Sequence, residues 1–421
     1  MPKFSFFLTL FISLSALTLS AAAPTVTAFS YEQCLGSWRP YPVPSSAIES
    51  PDSLSPIFIN HVGRHGSRFP SSPNSTFALM RALQRADSLN TITPDGRRLL
   101  DLTRYVAQRA DNYWGALDSL GMAEQRGIAS RMFISYPDLF INGSVYAVSS
   151  YSPRSIMSMY SFTHQLSRLN NKIEISTSSG RSASQLLRPF DLNSDYLDFI
   201  RSKVWETPWS DFADSRISAT PLRNILGKDY PLSISDTRDL AIDLYHFLGG
   251  LPAMGINIDI SQFLSLDDIN ALWSVYNLRQ YLQRTASVLS SAPADIASPL
   301  VLDIIRSTDD AINGSSDVTI HLRFGHAETL LPLFSQLRLR GAFYLTNYYD
   351  TVAQHFKNFD IVPMAANLQI VLFKAQSGAY YVRFDLNEQP IPLLPNDDRI
   401  YLPWSEARDY MIRCLPLYDQ P

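Results

Sequence analysis

The sequence predicts an α/β fold, in which a mixed-sheet core is flanked by helices and carries an inserted, mostly helical domain. Short apolar runs alternate with helical patterns near both ends of the chain, whereas the middle contains helical patterns only. The chain has 421 residues and a hydrophobic fraction of 46%, which is enough to bury a large core. We therefore assign residues 45–178 and 296–421 to one discontinuous α/β core and residues 179–295 to the helical insert.

The elements of the first half begin with a strand at residues 57–62, where a near-continuous apolar run is typical of a strand buried on both faces. A serine-rich break is predicted at 177–184. Between the strand and the break lie, in order, helices at 74–89, 96–117 and 122–136, a strand at 145–149, a helix from Pro153 and the run Ile173–Ser176.

The second half contains one helix with a clear start, because Ser265 is a suitable N-cap and apolar residues follow at helical spacing. The α/β pattern then returns. Its predicted elements are a strand at 318–324, a helix at 326–337 and two final strands at 368–373 and 380–386.

The N-terminus has the pattern of a signal peptide, predicted at residues 1–23. Lys3 is followed by an apolar stretch at 4–19 and by small residues at 21–23. A membrane anchor is the alternative, but the stretch is shorter than the roughly 20 residues that span a bilayer. We expect export, with an extracellular, periplasmic or vesicular location and no membrane span after removal of the signal.

Two features follow from export. Cys34 and Cys414 are the two cysteines, and they are candidate disulfide partners in an oxidising compartment, with two free buried thiols as the alternative. Asn74, Asn142 and Asn313 stand in sequons and are candidate glycosylation sites, although Asn-Gly-Ser is also an ordinary turn.

The overall charge limits the class of partner. The formal net charge is -4, which argues against a nucleic-acid partner, for which a basic excess is usual. A cationic site must therefore be local. The pattern leaves the oligomeric state open, and we take a monomer as the default.

The segment from Arg64 to Pro70, RHGSRFP, is such a local site, directly after the first predicted strand. A histidine between two guanidinium groups stays neutral more readily, and its free nitrogen can attack phosphorus. Arg64 and Arg68 suit a phosphoryl group because each planar fork makes paired, charge-assisted hydrogen bonds. Alone, an Arg-His-Gly tripeptide could be a surface turn, but the second arginine and the proline make chance far less plausible. We predict that His65 is a nucleophile and that the partner is a small anionic phosphate ester.

Two further segments follow predicted strands and begin helices. His326 and Glu328 stand where a helix N-terminus attracts phosphate, and a carboxylic acid there could protonate a leaving oxygen. The alternative is an acid that only complements the helix dipole. Arg154 follows the strand at 145–149, with a solvated first-turn arginine as its alternative.

Together these motifs resemble the histidine phosphatase superfamily in its acid phosphatase branch. RHGSRFP is similar to the RHGxRxP signature, and GHAET is similar to the His-Ala-Glu form of the second motif, which marks the multiple inositol polyphosphate phosphatases. General acid phosphatases and the fungal and enteric phytases usually carry His-Asp there. The similarity runs in order from about residue 55 to the end, although the residues before Arg154 depart from the usual Thr-Asp or Ser-Thr.

The resemblance implies that His65 is transiently phosphorylated and that Glu328 is the proton donor. It also implies that phosphate is bound by Arg64, Arg68, Arg154 and His326. Because Glu328 acts while protonated, we expect activity to fall as it ionises, which gives an acid-to-neutral pH optimum. We expect no metal and no cofactor, because the arginines neutralise the phosphoryl charge.

The expected function is a secreted phosphomonoesterase that acts on inositol hexakisphosphate and other inositol polyphosphates, and also on phosphoglycerate esters. A broad acid phosphatase for small monoesters and a catalytically inactive phosphate-binding protein are the alternatives. We interpret His61 and His321 as hydrogen-bonded core residues. Candidates for extra cations at the cleft rim are Arg181, Arg188, Lys203, Lys228, Arg279 and Arg323.

Overall fold

One mixed sheet organises the computed structural model, which describes residues 28–45, 50–141 and 143–420. Its strand order is β3-β2-β4-β1-β5-β6-β7, and β8 pairs with β6. The first four strands of this order are mutually parallel, and β5 joins β1 in the antiparallel sense. The predicted mixed α/β fold is confirmed. The strands are β1 Leu54–Arg64, β2 Ser144–Ser149, β3 Glu174–Ser179, β4 Val318–Gly325, β5 Asn367–Ala375, β6 Tyr380–Leu386, β7 Gln389–Ile391 and β8 Leu402–Pro403.

Helices cover both faces of the sheet and form the insert. They are α1 Asn74–Ser88, α2 Pro94–Arg109, α3 Ser119–Ser135, α4 Pro137–Ile141, α5 Pro153–Leu169, α6 Ser184–Leu187, α7 Ser194–Ser202, α8 Glu206–Arg216, α9 Thr220–Leu226, α10 Ile234–Gly250, α11 Leu266–Arg284, α12 Ala292–Asp295, α13 Ser298–Asn313, α14 Ala327–Gln336, α15 Val352–His355, α16 Asn358–Ile361 and α17 Trp404–Arg413.

The central strand β1 is buried on both faces, as its apolar run predicts. Alternate residues point to opposite sides, so Ile59 packs with the side chains of α3 and α5 while Val62 packs with those of α13 and α14. The sheet is therefore the middle layer of three, and a ligand can reach it at the ends of its strands.

The stretch between β3 and β4 contains no strand among its described residues, 180–317. Its helices α9, α10 and α11 pack with α1 and α2 around a second core that includes Trp273, Tyr245 and Cys34. The helical block thus covers one end of the sheet without extending it.

Among the predicted boundaries that differ from the structure, two have a clear physical reason. The break at 177–184 begins too early, because Thr177, Ser178 and Ser179 belong to β3 and pair in parallel with β2. Backbone pairing along an existing edge here outweighs the low strand propensity of serine. The helix at 96–117 is too long: α2 ends at Arg109, and Asn112 and Gly115 then adopt positive φ in a turn.

The disulfide prediction is wrong, because both cysteines are free thiols. Cys34 is buried in the core of the helical insert, whereas Cys414 is half-buried at the C-cap of α17, next to Leu415 of a different core. The structure does not join the two sulfur atoms.

The remaining terminal and surface predictions are tested only in part. The predicted signal peptide at 1–23 and the sequon residue Asn142 lie outside the described residues. Asn74 and Asn313 are exposed, at the start of α1 and the end of α13, so both remain candidate glycosylation sites. Within the described ranges, no helix has both the length and the apolarity to cross a membrane.

Candidate active site

The predicted site residues come together at one edge of the sheet. Parallel strands β1, β4 and β2 are neighbours, so their carboxyl ends meet there, as is usual for ligand sites in α/β sheets. The His65 N–H donates to the Gly325 carbonyl at the end of β4, and the Ser150 N–H, after β2, donates to Phe324. These bonds fix the three loops that carry His65, His326 and Arg154 relative to one another.

His65 is held as a neutral ring with one nitrogen free. Its Nδ1 lies 2.9 Å from the Gly66 carbonyl oxygen, which can only accept, so Nδ1 carries the proton and Nε2 keeps its lone pair. The side chain is 2% exposed, and burial, with Arg154, Arg64 and Arg68 adding to it, holds the pKa of His65 well below its usual value. The arrangement is that of a nitrogen nucleophile.

The loop around His65 is clamped by α3. The Glu124 carboxylate accepts the Ser67 N–H and the Ser67 hydroxyl, each at 2.7 Å, and the N–H of Tyr41 at 2.9 Å. Gln125 Nε2 donates to the Arg64 carbonyl at 2.9 Å. Neither residue stands in a motif that predicts this role from the sequence.

Backbone contact makes the clamp tight. A Cβ added at Gly66 would lie 2.4 Å from the carbonyl oxygen of Gly121, so the loop and the start of α3 touch main chain to main chain. Gly66 serves this close approach to the helix.

The three predicted arginines are cations with buried, unused donors. Arg64 Nη1 donates to the carbonyls of Ser37 and Val362, and Arg68 Nη1 donates to that of Phe69. The Nε groups of Arg64, Arg68 and Arg154 have no acceptor among the described residues. Burial and mutual repulsion lower the pKa of each, that of Arg68 to about 9. Such a cluster stabilises an anion that supplies the missing acceptors.

His326 is the N-cap residue of α14 and contacts cations on both ring nitrogens. Its Nε2 lies 2.9 Å from Arg188 Nη1, and its Nδ1 lies 3.5 Å from Arg154 Nη2. A guanidinium only donates, and the Ser150 hydroxyl also lies 2.9 Å from Nε2; in the tautomer in which Nε2 accepts from Arg188, the proton is on Nδ1 and faces Arg154. Burial above all lowers the pKa of His326 to about 3, so the ring is neutral. Two donors that face each other are suited to share a phosphoryl oxygen.

Glu328 lies in the first turn of α14, with its side chain 37% exposed. Burial alone would raise its pKa, but Arg284, together with His326 and the helix N-terminus, lowers it to about 2. Arg284 Nη2 is 3.7 Å from Glu328 Oε1, and Nη1 contacts the Tyr196 hydroxyl. Arg284 was not predicted from the sequence, because it ends a helix of the insert, 44 residues before Glu328 in the numbering, with no motif around it.

Of the predicted rim cations, the structure excludes Arg323. This side chain is fully buried in β4, where Nε and Nη2 donate to the Asp303 carboxylate and Nη1 donates to Asn60. Strand alternation directs Arg323 into the core rather than to the edge. Lys203 pairs with Glu206 on the exposed surface, and Lys228 is exposed before α10.

The other three rim candidates lie near the site. Arg188 reaches His326, as described, and its guanidinium also stacks on Tyr151. Arg181 stacks on the same ring. Arg279 packs over Trp205 and Trp209. The pKa of Arg279 is lowered mainly by burial and next by the charge of Arg284.

Of the two strand histidines, His61 is buried and His321 is half-buried, and neither is fully hydrogen-bonded, contrary to the prediction. Neither nitrogen of His61 has a partner among the described residues, and burial followed by Arg323 lowers its pKa to about 3. His321 Nδ1 accepts from Arg323 at 2.8 Å, while its Nε2 has no described partner. Both rings lie within the fold rather than in the site. No group of three or more described His, Cys, Asp or Glu side chains could hold a metal ion.

The geometry agrees with known proteins. No protein-family model matches the chain. Multiple inositol polyphosphate phosphatase 1 of Gallus gallus is 26% identical over 398 residues, 87% of this chain and 83% of the relative, and the Homo sapiens protein is 24% identical over 388 residues, 83% and 77%.

Solved structures show the same fold. Bifidobacterium longum multiple inositol polyphosphate phosphatase, in complex with inositol hexasulfate, has a TM-score of 0.77 and 17% identity, with 91% of this chain and 99% of that chain covered. The D. castellii phytase has a TM-score of 0.70 and 16% identity, with 94% and 88% covered. The motifs, the sequence matches and the fold thus lead to one conclusion: the chain is a homologue of the multiple inositol polyphosphate phosphatases and has the fold of the histidine acid phosphatases.

Proposed function

We propose that this protein is an exported phosphomonoesterase that hydrolyses inositol hexakisphosphate and other inositol polyphosphates through a phosphohistidine intermediate. One observation carries the proposal: a neutral His65 with a free Nε2 lies among three arginines whose buried Nε groups have no described acceptor. The names of the relatives support the substrate class, and the Bifidobacterium structure is a complex with inositol hexasulfate, a polyanion of similar chemistry.

In the first step, His65 Nε2 donates its lone pair to phosphorus while the P–O ester bond breaks. The electron pair stays on the leaving oxygen, which takes a proton from the Glu328 carboxyl group. Arg64, Arg68, Arg154 and the Nδ1–H of His326 bind the phosphoryl oxygens and stabilise the charge that spreads over them.

In the second step, water attacks the phosphohistidine. A new P–O bond forms, the N–P bond breaks, and its electron pair returns to Nε2. Glu328, now a carboxylate, takes the proton of the water, which restores both groups. Inorganic phosphate then leaves the arginine cluster.

The proton of Glu328 must be acquired together with the substrate. With a pKa of about 2 in the free protein, this carboxyl group is ionised over most of the acidic range. A bound phosphate neutralises the same guanidinium groups that lower the pKa, so the pKa rises in the complex. Substrate binding therefore favours the protonated form of Glu328, which is the form that donates the proton.

The test is phosphate release from inositol hexakisphosphate and from an aryl monophosphate, with EDTA present. We expect the inositol ester to be preferred, His65→Ala to abolish turnover and Glu328→Ala to slow it. His164→Ala, which removes an exposed histidine of α5, is the matched control and keeps full turnover.

Other outcomes contradict parts of the proposal. Preference for the aryl ester indicates a broad acid phosphatase. A chain that releases phosphate from neither ester is a phosphate-binding protein. A His65→Ala variant that keeps full turnover refutes the phosphohistidine mechanism. Loss of activity with EDTA would contradict the metal-free mechanism. Export is tested separately, by N-terminal sequencing of the protein recovered outside the cytosol; a start at Met1 would contradict it.

A further inference from the structure

The turn between β6 and β7 is an unusual place for a glutamate. Leu386 pairs with Gln389, so Asn387 and Glu388 form a two-residue hairpin loop, and both have positive φ, 50° and 64°. Loops of this kind favour asparagine at the first position, as here, and glycine at the second. A glutamate at the second position strains the backbone, and strain of this kind points to a function of the side chain.

The Glu388 side chain, 11% exposed, is the centre of a hydrogen-bond network. Its carboxylate accepts from Arg131 Nε and Nη2, each at 2.7 Å, and from the Tyr41 hydroxyl, also at 2.7 Å. The same hydroxyl accepts from Asn367 Nδ2 at 3.1 Å. Burial, with the charge of Glu388 next, holds the pKa of Tyr41 well above its usual value, so the hydroxyl keeps its proton and donates.

Tyr41 joins this network to the loop around His65. Its backbone N–H donates to Glu124 Oε1, the oxygen that also accepts the Ser67 hydroxyl. Its buried side chain ends at Glu388. Because Tyr41 is hydrogen-bonded at both ends, Glu388 limits its movement. A shift of Tyr41 would draw the Glu124 carboxylate away from the backbone of Ser67.

A second connection runs from the same turn to His65 through the main chain. The N–H of Asn367 donates to Asn387 Oδ1 at 3.0 Å, and the N–H of Asn387 donates to the Asn367 carbonyl at 2.8 Å. Two residues before Asn367, the N–H of Ala365 donates to the His65 carbonyl at 3.1 Å. Both connections therefore begin at one turn and end on the same loop.

We propose that Tyr41 and Glu388 are positioning residues, which hold the loop around His65 so that Nε2 lies in line with the bond that breaks. This inference rests on the proposed function. Both side chains act through Glu124 and Asn367 rather than on the substrate. In-line geometry is required for every phosphate ester, so their loss slows the chemical step for all substrates and leaves affinity unchanged.

The test compares kcat/KM for inositol hexakisphosphate and for an aryl monophosphate in Tyr41→Phe, which removes only the hydroxyl group. Both values should fall by the same factor, about 3- to 10-fold, as expected for one lost hydrogen bond. Affinity for inositol hexasulfate, measured by calorimetry, stays unchanged, and so does the binding stoichiometry, which reports the folded fraction.

Tyr401→Phe is the matched control. The Tyr401 hydroxyl accepts from Arg383 Nη1 at 2.8 Å, and Arg383 also pairs with Asp385, so this tyrosine belongs to a similar network of arginine and carboxylate on β6. The substitution should change none of the measured quantities.

Glu388→Gln tests whether the two residues act together. Because they share one hydrogen bond, the double variant with Tyr41→Phe should lose little more activity than Glu388→Gln alone. Losses that multiply would contradict a common action through this contact.

The outcomes separate this inference from the proposed function. If the wild type releases phosphate from neither ester, the proposed function is overturned and the positioning role with it. If the wild type is active and both single variants keep full kcat/KM, the positioning role alone is refuted. A weaker affinity or a lower stoichiometry for inositol hexasulfate in Tyr41→Phe also refutes it, because Tyr41 would then serve binding or folding.

Discussion

The pair Arg284–Glu328 predicts a specific change in pH dependence. In the free protein, burial raises the pKa of Glu328, but Arg284 and smaller effects lower it to about 2. Arg284 is the largest of the lowering effects. Arg284→Gln removes the cation and keeps a side chain of similar length. The pKa of Glu328 must then rise toward its ordinary value, and the carboxyl group stays protonated to higher pH.

The separation of the two groups gives the magnitude. At 3.7 Å, a pair of unit charges interacts by about 1 kcal/mol in water and by about 4 kcal/mol at an effective dielectric constant of 20. One pKa unit corresponds to about 1.4 kcal/mol. The substitution should therefore raise the pKa by about 1 to 3 units, and the partial exposure of Glu328 favours the lower half of that range.

The assay is kcat/KM for inositol hexakisphosphate between pH 2 and 7, because this parameter reports groups of the free enzyme. An acid is active while protonated, so kcat/KM falls as pH rises through its pKa, and in Arg284→Gln this fall moves to higher pH. Ionisation of the substrate is the same for both enzymes and cancels in the comparison.

Arg279→Gln is the control, since it removes a charge from the same helix without contacting Glu328. Coincident profiles for wild type and Arg284→Gln would refute the reasoning. So would an equal displacement in the Arg279 variant, because a general loss of charge, rather than the contact, would then set the pKa.

Three further predictions follow from buried groups. Glu124→Gln replaces the carboxylate that accepts from the backbone around His65 with an amide, one end of which can only donate. In steady-state kinetics, kcat should fall roughly 10- to 100-fold with KM little changed. An unchanged kcat would contradict the role of Glu124 in holding the loop. His61→Leu removes a neutral buried ring whose pKa is about 3, against 6.5 in the unfolded chain, so the native state loses stability as pH falls from 6.5 toward 3. Denaturant unfolding should show a pH dependence that is shallower in this variant by up to about 1.4 kcal/mol per pH unit, and equal slopes contradict the assignment. Asp303→Asn leaves the charge of Arg323 buried without its carboxylate, so the free energy of unfolding should drop by about 3 kcal/mol. The KM of the folded fraction should stay unchanged. A raised KM would mean that Arg323 contributes to substrate binding after all.

Local patterns predicted most of the longer strands, because these have an apolar run, whereas the short strands β7 and β8 were not predicted. β6 was predicted at its observed bounds, and β1 and β5 were predicted within three residues. The C-terminal half of β3 was predicted as part of a break, since its polar residues form a strand only because β2 offers backbone partners. Information of that kind is not local.

The site divides in the same way. His65, Arg64, Arg68, Arg154, His326 and Glu328 stand in motifs, and the structure brings them to one edge. Arg284 and Glu124 act through space, from helices whose approach depends on the whole fold. The wrong disulfide prediction has the same origin, because proximity of the chain ends does not bring two particular sulfur atoms together.

The order of strands in the sheet has a consequence for biosynthesis. The central pair joins Ile59 to Ile320, so one half of the catalytic edge leaves the ribosome long before its partner. Until β4 arrives, β1 lacks a neighbour on that side, and His65 lies without His326 and Glu328. Closing so large a loop is slow, and an incomplete chain exposes an apolar strand with unpaired edges. Hydrolytic activity should therefore appear only after synthesis has passed β5, which makes it a sensitive reporter of complete folding.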